Sequence, residues 1–178
     1  MKRTGFSMIE LVFVIVILGV LAAVAVPRFV TTRTDAQVAM ARSDIATVLK
    51  AVPARVFAEN IDPTISKPDG FSSWGWWMID TGGLDNGRWD VVDLGNVVGI
   101  APKSDVGSAQ GLGSSAVCGG YNEAVIRLEI STGNLIFDPS KLNTSQTNHN
   151  TFCKALAESY PSNSQRTIHL STTGSVKF

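Results

Sequence analysis

The sequence predicts an α+β fold: a long N-terminal helix, transmembrane in its first half, packed on a C-terminal antiparallel sheet. Three patterns carry that expectation. Phe6 to Val26 is a near-continuous apolar run. Val38, Arg42, Ile45, Leu49, Val52 and Val56 recur at three- and four-residue spacing, the mark of an amphipathic helix face. Ala124 to Ile130 alternates apolar and polar residues as a half-buried strand does, and Ser131-Thr132-Gly133-Asn134 comes next as a turn.

The apolar run is long enough to span about 30 Å of hydrocarbon as a helix. Lys2 and Arg3 precede it, so the start stays on the cytoplasmic side and the chain after Arg28 faces outward. Two other readings compete. Ala23-Val24-Ala25 is a look-alike for signal peptidase cleavage behind a basic start, and a plain signal anchor has the same hydropathy. Neither accounts for Glu10, which a third reading takes as accidental. A carboxylate inside a membrane segment is costly and usually has a partner, yet no cationic side chain lies between Arg3 and Arg28. A cut between Gly5 and Phe6 creates an α-ammonium on Phe6, one helical turn from Glu10. That carboxylate then offsets both the amine and the unfavourable placement of positive charge at a helix start.

The stretch Gly5-Phe6-Ser7-Met8-Ile9-Glu10-Leu11 resembles the prepilin signature of type IV pilins and type II secretion pseudopilins. Gly19 and Pro27 stand where that family places a helix-weakening glycine and a proline kink. The resemblance covers about the first 30 residues. It implies cleavage after Gly5, N-methylation of Phe6 and a role for Glu10 in assembly. The implied partners are a prepilin peptidase and methyltransferase, an inner-membrane assembly platform, membrane lipid, and copies of the chain or related pilins in a filament. The implied location is the bacterial inner membrane, single pass, before assembly, and a periplasmic or cell-surface filament after it. The implied function is a structural subunit of a type IV pilus-like filament, with a type II secretion pseudopilin or a DNA-uptake filament as the alternative and an exported soluble binding protein with a cleaved signal peptide as a remote one.

The expected organisation is a leader over 1–5, a membrane segment over 6–27, the amphipathic second half of the helix over 28–59, and an exported variable region with its sheet over 60–178. From Phe6 to Glu59 such a helix runs roughly 80 Å. Pro27 is expected to kink or locally melt it, and Pro53 to end or bend it. Residues 63–120, rich in Gly, Asp, Ser and Trp, read as loops with short strands rather than helices. Within them Ser73-Trp74-Gly75-Trp76-Trp77 is an aromatic cluster, either core and subunit contact or an exposed adhesive patch. Leu135-Ile136-Phe137 returns against the first strand, Phe152 to Tyr160 reads as a short helix, and Thr167–Leu170 with Val176–Phe178 suggests a last hairpin. The sheet is expected to hold about four strands.

Composition narrows the chemistry. The 178 residues carry zero formal net charge, so there is no strong nucleic-acid signal. Cys118 and Cys153 fit no zinc spacing. In an oxidising compartment they either form one disulfide or stay as two buried thiols. A bridge resembles the cysteine-bounded region of many type IV pilins, but it starts before the strands and leaves strand after its second cysteine. No catalytic set and no cofactor motif emerges. His149 and His169 lack a metalloprotease context, and Gly111-Leu112-Gly113-Ser114-Ser115-Ala116 lacks the strand and helix of a dinucleotide site. Asn143-Thr144-Ser145 is a glycosylation-type sequon. Asp80, Asp85, Asn86, Asp90 and Asp93 are solvated loop acids and an amide or, weakly, oxygen ligands for calcium, with Asp85, Asp90 and Asp93 the candidates.

Overall fold

The computed structural model describes residues 7–103, 118–119, 123–142, 150–162 and 164–171, with the side chains of 24–32 outside the description. The chain forms two compact units, Met1–Gln37 and Val38–Phe178.

Helix α1 spans Met8–Ala58. It is continuous through Pro27 and Pro53, so neither proline melts it, and Pro53 does not end it. Proline forfeits one backbone bond, but Val52 and Val56 on either side of Pro53 are 1% and 2% exposed and pin both turns to the core. Ala41, Ile45 and Val48 complete that buried stripe. Its three- and four-residue steps are those of one helix face.

Helix α2, Trp74–Gly82, corrects the expectation of loops and short strands alone. Trp74, Trp77 and Met78 lie at i, i+3 and i+4 and are all buried. Gly83 closes the helix in the left-handed region at φ 60°, its N–H donating to the Asp80 carbonyl at 3.1 Å and that of Leu84 to Ile79 at 2.9 Å. Gly75 is required by close approach: a Cβ there would strike the Val91 side chain.

Among the described residues the sheet has five antiparallel strands in sequence order, β1 (Trp89–Asp93), β2 (Val97–Pro102), β3 (Ile126–Glu129), β4 (Asn134–Phe137) and β5 (Arg166–His169). It thus exceeds the expected four strands by drawing β1 and β2 from the Gly- and Asp-rich stretch. Register aligns Val98 with Leu128, Leu128 with Leu135, and Leu135 with Ile168, a cross-sheet apolar row. The period of two puts these side chains on one face, where Val98, Leu128 and Leu135 are no more than 2% exposed. Strand β5 pairs with β4; the second arm expected for a last hairpin, Val176–Phe178, lies outside the described residues.

Helix α3, Thr151–Glu158, starts at Asn150, whose side chain accepts the Cys153 N–H at 2.9 Å. Cys153 is bonded to Cys118, with their Cα atoms 5.3 Å apart. Both are fully buried, and the Cys118 N–H donates to the Pro102 carbonyl at the end of β2. The bridge therefore ties α3 to the sheet.

Candidate functional site

Gly5 and Phe6, the expected processing junction, lie outside the described residues. Immediately after them, the Ser7 carbonyl accepts the Glu10 N–H at 3.0 Å and the Leu11 N–H at 3.2 Å, which opens α1. The Glu10 carboxylate in turn accepts the Ser7 N–H at 2.9 Å. A helix start leaves several N–H groups without intrahelical partners, and a glutamate at the third helical position satisfies one of them. Glu10 thus has a local role at the helix start. The signal was present in the sequence as the spacing Ser7-Met8-Ile9-Glu10.

From Met8 to Ala23 every residue is exposed. Large apolar side chains are among them: Phe13 is 66% exposed, Ile15 57% and Leu21 61%. Among the described residues no helix is long and apolar enough to cross a membrane. Phe6 and the side chains of residues 24–27, which belong to the expected span, are outside that description.

In the globular unit the aromatic cluster divides. Trp74 and Trp77 are 1% exposed and meet edge to face at 5.2 Å, whereas Trp76 is 41% exposed. Trp89, also buried, donates its indole N–H to Asp44 of α1 at 2.9 Å. The Arg55 guanidinium lies 5.1 Å from the Trp77 ring centre and pairs with both Asp80 and Glu59 at 2.9 Å. The hydrogen bonds it donates to Asp80, then to Glu59, raise its pKa. At Asp138 burial alone would raise the pKa, but hydrogen bonds from the Ser140 hydroxyl and from Arg127 outweigh it and hold the carboxyl below its usual value. Burial raises the Tyr160 hydroxyl, with Arg42 opposing.

The acidic candidates for calcium are each used locally. Asp85 accepts the Gly87 N–H at 2.8 Å, Asp90 the Val91 N–H at 2.9 Å, and Asp93 the Gly95 N–H at 3.0 Å. Among the described residues no three His, Cys, Asp or Glu side chains come together to hold a metal ion. Exposed His169 contacts the Asn134 side chain at 2.7 Å across β4 and β5. His149, the Gly111–Ala116 stretch and the Asn143 sequon lie outside the described residues.

Comparison with known proteins bears on the family. Residues 1–26 match the family model for the prokaryotic N-terminal methylation motif. The chain is 42% identical over 79 residues to the type IV narrow pilus major component of Thermus thermophilus, covering 42% of this chain and 68% of that protein. It is 39% identical over 51 residues to the type II secretion system core protein G of Pseudomonas aeruginosa, covering 29% of this chain and 36% of that protein. No solved structure matches significantly. With the methylation motif at its start, and with 42% identity across 68% of a pilus subunit, the chain belongs to the type IV pilin and pseudopilin family.

Proposed function

We propose that this chain is the precursor of a structural subunit of a type IV pilus-like filament. A prepilin peptidase removes residues 1–5 and methylates the new Phe6 amine. Residues 6–27 then hold the protein in the bacterial inner membrane, with 28–59 and 60–178 exported. An assembly platform draws copies from the lipid into a filament, where their apolar segments pack on one another or on related pilins. The role is structural, not catalytic.

The observation that carries this reading is the exposure of every residue from Met8 to Ala23. An all-round apolar helix needs lipid or other helices about it. Glu10 supplies direction, because its charge can neutralise the Phe6 ammonium of a neighbouring copy. A secretion pseudopilin is the second reading, favoured by the likeness to core protein G. Loss of surface pili on deletion supports the first, and loss of protein secretion with pili intact the second.

The test is Glu10→Gln. The Gln side-chain oxygen can still accept the Ser7 N–H, so the helix start survives and the charge alone is removed. Breaking one side of a buried charge pair costs about 3–5 kcal/mol. The expected result is processed, membrane-held protein with few filaments in the sheared fraction. Normal filament amounts contradict the charge pairing.

A further inference from the structure

The globular unit carries a knob and a groove at opposite edges of one sheet. The groove, about 690 Å³, lies between α1 and β5. Ile45, Leu49, Phe137 and Ile168 line it with apolar surface, while Lys50 and Arg166 add positive charge. Among the described residues no carboxylate lines it and neither cation has an acidic partner. The knob is the turn between β1 and β2. Leu94 is 47% exposed there, beside exposed Asp93. The turn is held by the Leu94 N–H to the Val97 carbonyl at 2.9 Å and by the Gly95 N–H to the Asp93 carboxylate at 3.0 Å.

We infer that Asp93–Leu94 of one copy seats in the α1–β5 groove of the next. This rests on the filament reading and deepens it by giving the exported part its own contact. The two patches agree in three respects. The charges are complementary, one carboxylate against two cations without acidic partners among the described residues. The apolar surfaces match, an exposed leucine against an apolar floor, and the volume admits a hairpin tip rather than one side chain. The knob is preorganised by its turn bonds, so little ordering accompanies binding. Among the described residues strands β1 and β5 are the two edges of the sheet, so neither patch is self-complementary. A contact of this kind runs head to tail and generates an open helical array rather than a closed pair.

The experiment places cysteines at Leu94→Cys and Ala46→Cys, an exposed groove position, in the full chain expressed with the assembly machinery. Native Cys118 and Cys153 are bonded and buried, so they do not compete. Mild oxidation of sheared filaments should give a ladder of dimers and higher multimers with the double variant and none with either single. Asp93→Lys should cut filament yield about tenfold by setting like charges together, and Lys50→Glu in the same chain should restore most of it. Filaments without a ladder overturn the contact and leave the filament reading standing. A ladder that appears only when residues 172–178 are deleted assigns the groove to the chain's own tail and overturns it too. Dimers with no higher multimers contradict the head-to-tail geometry. If the unmodified chain makes no filament, the filament reading itself fails and the contact with it.

Discussion

Between Met8 and Ala23 all of α1 is exposed, Leu11, Phe13, Ile15 and Leu18 included, while Ala41, Ile45, Val48, Val52 and Val56 of the same helix are 5% exposed or less. The difference is one of pattern more than of composition. In the later stretch the buried apolar residues keep to one face, and exposed Arg42, which the sequence spacing set on that face, lies with Ser43, Thr47 and Lys50 on the other, so a single sheet can cover the stripe. In the earlier stretch apolar residues occupy every face, and no one-sided cover from a domain would suffice. A helix written with an apolar stripe meets its partner within the chain. One that is apolar all round is written for partners outside it.

One substitution made in both stretches separates the two cases by the widest margin. Val48→Asp puts a lone charge at a fully buried position and should cost more than about 4 kcal/mol, enough to unfold the globular unit. Val16→Asp, at a position 57% exposed, should leave the thermal melt in detergent within about 0.5 kcal/mol of the unmodified protein. It should instead deplete the protein from membranes and filaments. Equal losses of melting stability would mean that the first stretch packs on its own domain.

A smaller effect is expected from the bridge. Replacing Cys118 and Cys153 together with Ser should cost about 2–4 kcal/mol, the range for a closed loop of this length, given the 35-residue separation. The melt should fall while membrane retention through the first stretch is unchanged. An unchanged melt would remove the bridge from the account of how the globular part is held.

The least effect concerns Asp138, which takes the Ser140 hydroxyl at 2.6 Å and Arg127 at 3.3 Å on β3. Its pKa is lowered in the folded protein. Its contribution is therefore present above the ordinary carboxylate pKa of about 4 and is lost as pH falls through the folded value. Asp138→Asn should cost about 1–3 kcal/mol at neutral pH and flatten that acid limb of the stability profile. A variant with an unaltered acid limb would place the titration elsewhere.

Long, periodic elements were legible in the sequence because their signal repeats. The α1 stripe has five buried residues over about four turns to declare itself, although Ala41 and Val48 are buried where the spacing named Arg42 and Leu49, and β3 with β4 is marked by alternation around Gly133, which adopts φ 65°. Short elements were not. Helix α2 is nine residues long, contains Gly75 and Gly82, and sits among Asp and Ser, so composition pointed to loop. Its i, i+3, i+4 tryptophan and methionine spacing was the overlooked sign. Pro53 misled in the same way, since local propensity counts one lost bond and tertiary burial of Val52 and Val56 outweighs it. At the N-terminus Glu10 has, besides its charge, a plain duty to the Ser7 N–H. The two duties need not compete, because a carboxylate has two oxygens and several lone pairs.

If the all-exposed stretch exists for partners in other molecules, the working protein must keep it. Mass spectrometry of the mature protein, taken intact from membranes or sheared filaments, reads this out. The expected chain begins at Phe6 and carries an added methyl group, with Met8 to Ala23 retained. A mature chain beginning at Val26 would have discarded that stretch as a signal peptide, and it would contradict the filament account.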